Sequence, residues 1–272
     1  MIEYQYIFEH FSYMSGHSKW STIKHKKAAN DAKKGKIFSK LSTQITHAAR
    51  QGGGDPNMNP NLRLYMDKAK SVGFPIDRVE KAIAKGTGEG SNGVVYEEAT
   101  YEGFGPLGVQ LVVDTLTDNK NRTVSDLRKL FEEIGGSMGD SGSVSWNFDT
   151  RGYIVVKTGR MVKSEKYGED DKYEKADRDG VMMELMDIDG IEDIKELDID
   201  GVEGLEIYTP YNILSKVRDS ILKLGYVVED AEIVKEPKMK KKLSDKEIEK
   251  VESAIEKIEE NDDVQNVWSD LE

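Results

Sequence analysis

The sequence predicts an α+β protein of three domains: an N-terminal helical bundle, an α/β domain, and a ferredoxin-like domain inserted in the second. Three observations carry this expectation. Apolar residues recur at helical spacing up to Gly86 and then give way to strand-like runs. Beyond Gly142 the order of elements reads β-α-β-β-α-β, that of a ferredoxin-like sandwich. A last helix and short strand, Ser244 to Trp268, have no partners of their own and complete the unit begun at 94–135.

Ile37, Leu41, Ile45 and Ala48/Ala49 lie on one helical face, and Gly52-Gly53-Gly54 stops the run. Asn59-Pro60 opens a second helix with Leu62, Tyr65, Met66, Ala69 and Val72 facing inward. Pro75 opens a third with Ile76, Val79 and Ile83, closed by Gly86. Residues 86–93 read as a flexible linker without the Lys-Ser/Thr ending of a phosphate-cradling loop. Weak alternation to Tyr101, the turn Gly103–Pro106 and the run Val109–Val113 give two strands. Thr123, with Asp126 three residues on, caps a helix carrying Val124, Leu127, Leu130, Phe131 and Ile134, which Gly135 ends.

After the small-residue joint Gly139–Gly142, residues 144–156 read as a strand or hairpin and 172–187 as a helix. Tracts 194–199 and 203–208 are strands joined at Asp200-Gly201. Thr209-Pro210 opens a helix through Ile213, Leu214, Val217, Ile221 and Leu224, and Tyr226–Val234 is a further strand. Ser244 and Glu247 form a capping box for a helix bearing Ile248, Val251, Ile255 and Ile258, and Val264–Trp268 is the closing strand. The expected boundaries are an extension at 1–14, a basic helical domain at 15–91, the α/β domain at 92–137 and 237–272, and the insertion at 138–236.

Charge is divided unevenly along the chain. From Ser15 to Lys85 fifteen lysines and arginines stand against five acids, a local +10 that leaves −22 for the rest of a chain of net −12. Within Gly16–Lys40, the lysines 19, 24, 26, 27, 33, 34, 36 and 40 oppose one acid, Asp31. A basic segment on an acidic protein is an electrostatic footprint, and phosphate-rich nucleic acid is its usual partner. Lys19, Lys24, Lys26, Lys27, Lys33, Lys34, Lys36 and Lys40 are therefore the candidate phosphate contacts, with Lys120 and Arg122 in the Asn119–Arg122 tip as a second. Trp20 and Phe38 flank the run and read first as core aromatics, with stacking surfaces as the rival.

Other chemistry finds little support. No cysteine is present, which excludes disulfides and thiolate chemistry and fits a cytoplasmic protein. No apolar run approaches the roughly 20 residues that span a bilayer, so no membrane partner is expected. The first 13 residues lack Lys and Arg, unlike a targeting signal. Met14 directly precedes the basic segment, and residues 1–13 are expected to be dispensable. His10, His17, His25 and His47 are too widely spaced for a helix-borne metal pair, and Asp187-Ile188-Asp189-Gly190 lacks the first oxygen ligand of a calcium loop. No metal, no cofactor and no enzymatic activity is expected. A cleft enzyme using an acid pair such as Asp114 and Asp118 is the remote alternative.

Gly16-His17-Ser18-Lys19-Trp20, Ile23–Ala29 and Lys34–Lys40 resemble the opening of the YebC/PmpR family. Gly52–Pro56, Asn59–Arg63, Tyr101–Pro106, Thr117–Thr123, Gly135-Gly136, Gly142-Ser143-Val144 and Asp262–Val267 are similar as well. The resemblance runs from about Ser15 to Trp268 and is most specific before residue 155. It implies three domains, with the ferredoxin-like one inserted in the second, and no enzyme activity. It implies roles described for members as DNA-binding transcriptional regulators or as ribosome-associated translation factors, including a mitochondrial translational activator and bacterial factors that relieve stalling at proline runs. Leu107 stands where the family usually has a second glycine, residues 159–180 are longer and more charged than usual, and 184–194 replaces an alanine-rich helix end.

The expected function is a non-enzymatic nucleic-acid-binding regulator, with structured RNA or the ribosome favoured as target. The −22 outside the basic end would repel a long duplex, and no cap-turn-cap pattern marks a recognition helix in the bundle. DNA-binding transcriptional regulation is the alternative. The acidic domains would face away from nucleic acid or meet a protein partner.

Overall fold

A computed structural model describes residues 31–88, 95–162, 172–199 and 202–272, with the side chains of 31–33, 199 and 202 outside the description. The helical bundle consists of α1 (Asp31–Gly52), α2 (Pro60–Ser71) and α3 (Ile76–Thr87). Its core joins Leu41, Ile45, Ala48 and Ala49 of α1 to Leu62, Ala69, Phe74, Val79 and Ala82. Phe38 meets Phe74 edge to face at 4.9 Å between ring centres, so the core reading of Phe38 holds. Such a pair adds about 1 kcal/mol beyond its buried area.

Asn59 shows why the chain turns between α1 and α2. Its side-chain oxygen accepts from the Leu62 amide at 3.1 Å, while its amide nitrogen donates to the carbonyls of Ala48 and Gly53 at 2.8 Å each. One buried side chain thus starts α2 and finishes α1. Two expectations fail in this bundle. Val72 and Ile76 face solvent, Ile76 being 66% exposed. Gly86 does not close α3: it lies inside the helix against α1, where an added Cβ would sit 2.4 Å from the Thr46 carbonyl. Gly88, at φ +93°, ends the helix instead.

The first sheet has the order β3-β1-β2-β9 and is antiparallel throughout, with β1 (Glu97–Phe104), β2 (Gln110–Thr117), β3 (Ser137–Met138) and β9 (Val264–Ser269). Helices α4 (Lys120–Glu133) and α7 (Asp245–Glu259) cover one face, where Leu111 and Val113 meet Leu127, Phe131, Val251, Ile255 and Ile258. The C-terminal helix and strand thus complete the sheet begun at β1, as expected, and the capping box of Ser244 and Glu247 is present. α4 starts earlier than expected. Asn119, not Thr123, is its N-cap, accepting from the Arg122 amide at 3.1 Å, and Thr123 is buried inside.

Between β3 and α7 lies the second sheet, in which β4 (Phe148–Val162) carries β8 (Tyr226–Pro237) on one side and β7 (Val202–Pro210), then β6 (Asp193–Ile199), on the other. The order β8-β4-β7-β6, with α5 (Arg178–Met186) and α6 (Leu214–Lys223) on one face, is the ferredoxin-like arrangement. The expected helix at 172–187 is corrected: Lys172–Lys175 is a strand, β5, paired with the end of β4. Asp177 then caps α5 through the Gly180 amide, which forces a break before the helix. The expected strand from Val144 starts only at Phe148, after a 3₁₀ turn at Ser145–Asn147.

Alternation along the strands decides which layers meet. Ile154 and Val156 face α5 and α6, while Tyr153 and Val155 face the first sheet, where Val112 and Trp268 await them. Buried in the second sheet, Glu206 accepts from the hydroxyls of Tyr153 at 3.1 Å and Tyr208 at 3.2 Å. Burial, then the Glu206 charge, pushes the Tyr208 phenol well above its ordinary range. The helical bundle rests on the inserted unit through α2: Arg63 pairs with Asp219 at 2.7 Å, Lys68 with Glu232 at 3.1 Å, and Asp67 with Arg218. Among the described residues no helix is long and apolar enough to cross a membrane.

Candidate nucleic-acid interface

The basic run enters the described structure at α1. Lys33, Lys34 and Lys36 lie on α1 where the described residues begin. Lys34 and Lys36 are exposed. Two of the candidate lysines reach across to α7. Lys36 Nζ donates to the Glu260 carbonyl at 3.3 Å and Lys40 Nζ to the Glu259 carbonyl at 3.0 Å. Carbonyls at a helix C-terminus lack intrahelical partners and carry the negative end of the dipole, so these ammonium groups satisfy α7 as they dock α1. Lys19, Lys24, Lys26 and Lys27 lie outside the described residues, as do Trp20, His10, His17, His25 and the segment 1–13. Lys33 is placed in α1 by its backbone alone.

The second candidate contact, at the start of α4, is internally paired. Lys120 Nζ lies 2.6 Å from Glu97 and Arg122 Nη2 lies 2.8 Å from Asp118 and 3.0 Å from Asp263. These hydrogen bonds, with Glu97 on Lys120 and with Asp263 first and Asp118 second on Arg122, raise both cations above their ordinary pKa. Asp263 also accepts from the hydroxyls of Thr123 at 2.7 Å and Thr117 at 3.1 Å. The tip is therefore a knot joining β2, α4 and the entry to β9. An open cleft beside it is lined by Arg122, Asp126, Asn261, Asp262 and Asp263, which makes its surroundings more acidic than basic.

Asp114 and Asp118 do not form an acid pair. Asp114 takes Lys235, the Thr100 hydroxyl at 2.7 Å and the Trp268 indole at 2.7 Å, while Asp118 takes Arg122. His47 is half-buried in the bundle, with Nε2 3.2 Å from Glu98, as a helix-packing histidine would be. Residues 187–190 form a turn before β6, and the link at 200–201 lies outside the described residues.

Residue-type reasoning missed Glu102, buried on β1. Its carboxylate accepts from the amides of Gly142, Val144 and Ser145, each at 2.8 Å. Burial opposes its ionisation, but these bonds outweigh burial and hold it below its ordinary 4.5. The glutamate thereby fixes the loop between the two sheets. Only the co-occurrence of Tyr101–Pro106 with Gly142–Val144 among the family-like stretches hinted that the two belong together. The left-handed backbone of Leu107, φ +60°, matches the turn where a glycine is usual.

Comparison with known proteins agrees with this architecture. Residues 18–89 match the model for the TACO1/YebC protein N-terminal domain, and residues 96–271 match that for the TACO1/YebC second and third domain. A "Probable transcriptional regulatory protein" of Geotalea uraniireducens is 46% identical over 259 residues, covering 95% of this chain and 96% of the relative. Its counterpart in Thermoanaerobacter pseudethanolicus is 44% identical and covers 95% of this chain and 97% of its own length. Among solved structures, a conserved hypothetical protein of Aquifex aeolicus superimposes with a TM-score of 0.77 at 36% identity, covering 94% of this chain and 97% of its own. Both family models and the full-length relatives therefore place this chain in the TACO1/YebC family.

Proposed function

We propose that this protein is a non-enzymatic, nucleic-acid-binding regulator of gene expression, acting in translation on the ribosome or another structured RNA to relieve stalling. The observation that carries the proposal is the partition of charge: +10 over residues 15–85 against −22 elsewhere. Neutralised phosphates release counterions and supply most of the affinity of such contacts. The acidic body opposes a long duplex but not a compact RNA site that receives only the basic end. Lys19, Lys24, Lys26, Lys27, Lys33 and Lys34 are the proposed principal phosphate contacts. Lys36 and Lys40 combine that role with docking on α7, and Lys120 and Arg122 contribute only where phosphate displaces their carboxylates.

A second reading, DNA-binding transcriptional regulation, is favoured by the names of the relatives. Sedimentation of the native protein through a sucrose gradient, beside titration on a promoter duplex, separates the two. Co-migration with ribosomes supports the first reading. Tight, sequence-selective promoter binding at physiological salt, with no protein travelling with ribosomes, overturns it.

A further inference from the structure

The run Lys238-Met239-Lys240-Lys241-Lys242 links β8 to α7 and contains no acid. It is not a loose tether. Asn147, almost fully buried, donates to the Met239 carbonyl at 3.0 Å and accepts from the Met239 amide at 2.9 Å, and its own carbonyl accepts from the Lys238 amide at 2.7 Å. Lys241 is held by backbone bonds to Asp270 and Glu272, and its ammonium reaches the Leu107 carbonyl. The linker is thus clamped onto the 3₁₀ turn Ser145–Asn147, itself anchored by Glu102.

At the centre of that turn stands Trp146, 54% exposed. Its indole N–H is already spent on the Ser143 carbonyl at 3.0 Å, which fixes the ring and leaves it to offer a flat apolar surface rather than a donor. Lys238 Nζ caps the Trp146 carbonyl at 3.2 Å and shares its charge with Asp149. Lys240 is exposed and has no carboxylate partner among the described residues. Met239, 57% exposed, is the residue whose backbone Asn147 holds beside the turn.

We propose that Trp146, Met239, Lys238 and Lys240 form a second nucleic-acid site, which stacks an unpaired base of an RNA strand on the indole and holds the flanking phosphates with the lysines. Rigid aromatic platforms beside cations are how single strands are bound without sequence preference. A free-standing lysine run would suit any anion, and a lone exposed tryptophan any apolar partner. The backbone clamp on Asn147 and the Lys238 ammonium on the Trp146 carbonyl hold the lysine run beside the tryptophan's turn, on a body otherwise rich in acids, and a strand that alternates base and phosphate suits that pairing. The proposal rests on the nucleic-acid reading above and adds to the N-terminal lysines a site on the other side of the α/β domain's sequence.

The test uses the full chain and a labelled twelve-nucleotide RNA, the DNA of the same sequence and a blunt RNA duplex, read by fluorescence anisotropy. Trp146→Ala should weaken single-strand RNA binding about tenfold without changing the salt slope, and Trp146→Phe should retain most of the affinity. Lys238→Gln with Lys240→Gln should flatten the slope by about 1.4, at 0.7 per contact. Equal loss on the DNA strand marks the base as the feature read, and loss on RNA alone adds the ribose; both support the site. Equal loss on the duplex overturns it. If Trp146→Ala binds within about twofold of its parent while Lys26, Lys27, Lys33 and Lys34→Gln abolishes binding, this site is wrong and the broader reading stands. A parent that binds no RNA sinks both. In the unaltered chain, 5-iodouridine RNA should crosslink to Trp146 on irradiation, and crosslinks confined to residues before 90 would contradict the proposal.

Discussion

The Nη2 atom of Arg122 lies 3.0 Å from each carboxylate oxygen of Asp263, across 141 positions of sequence. The same carboxylate takes the hydroxyls of Thr117 and Thr123, both fully buried. Asp263 is therefore the lock that closes the first sheet with the end of the chain. Asp263→Ala should destabilise the protein by about 2–3 kcal/mol, because it strips acceptors from buried donors. Arg122→Gln should cost far less, since its guanidinium is exposed and water replaces its partners. Urea unfolding of both variants checks the order, and equal losses would contradict it.

Glu102 makes a pH-dependent contribution. Its folded pKa is held below 4.5 by the amides that overcome its burial. A carboxyl with a depressed folded pKa stabilises fully above its unfolded value and loses that contribution as pH falls through the folded one. Glu102→Gln should thus cost on the order of 2 kcal/mol at pH 7. The gap between variant and parent should close on acidification below about pH 4.5. Melting curves between pH 7 and pH 3 measure this; a gap that widens toward acid would refute the assignment.

Gly86 marks the closest approach of α1 and α3. A Cβ there would lie 2.4 Å from the Thr46 carbonyl and 2.8 Å from the Ala49 side chain. Although alanine is the better helix former, Gly86→Ala should destabilise by about 1–3 kcal/mol because the helices must separate. A gain in the urea midpoint would show that the bundle yields there.

Leu107 pays for a left-handed backbone at φ +60° while 42% exposed. Leu107→Gly should stabilise by about 1 kcal/mol, raising the melting temperature by roughly 2–4 °C. Differential scanning calorimetry reads the shift. A fall would mean that the leucine side chain contributes more than its backbone costs.

What the sequence disclosed followed from how local each determinant is. Asn59-Pro60 announced a helix start because cap and proline act within one turn, and the Ser244–Glu247 capping box was legible for the same reason. Weak alternation before Tyr101 and short apolar runs elsewhere marked β1, β2, β4, β6, β7, β8 and β9, while the two-residue β3 left no pattern to read. Gly86 was misread as a stop because a glycine that ends a helix and one that admits a neighbouring helix look alike without the neighbour. β5 was hidden because its pairing with 159–162 of β4, not its own composition, makes it a strand. The carboxylates of Glu102 and Asp263 were invisible as organisers, their partners lying 40 to 146 residues away. Candidate lysines were legible as charge. That Lys36 and Lys40 also meet the end of α7 was not, because those contacts join residues 224 and 219 positions apart.

The central claim is that the basic segment binds phosphates, and the salt dependence of RNA binding by a lysine variant tests it most directly. Binding of a structured ribosomal RNA fragment should be measured at several salt concentrations for the parent and for the chain with Lys26, Lys27, Lys33 and Lys34 replaced by Gln. Four lost contacts should lower affinity on every sequence alike and reduce the slope of log affinity against log salt by about 3. Equal affinity and equal slope for the two proteins would contradict the account.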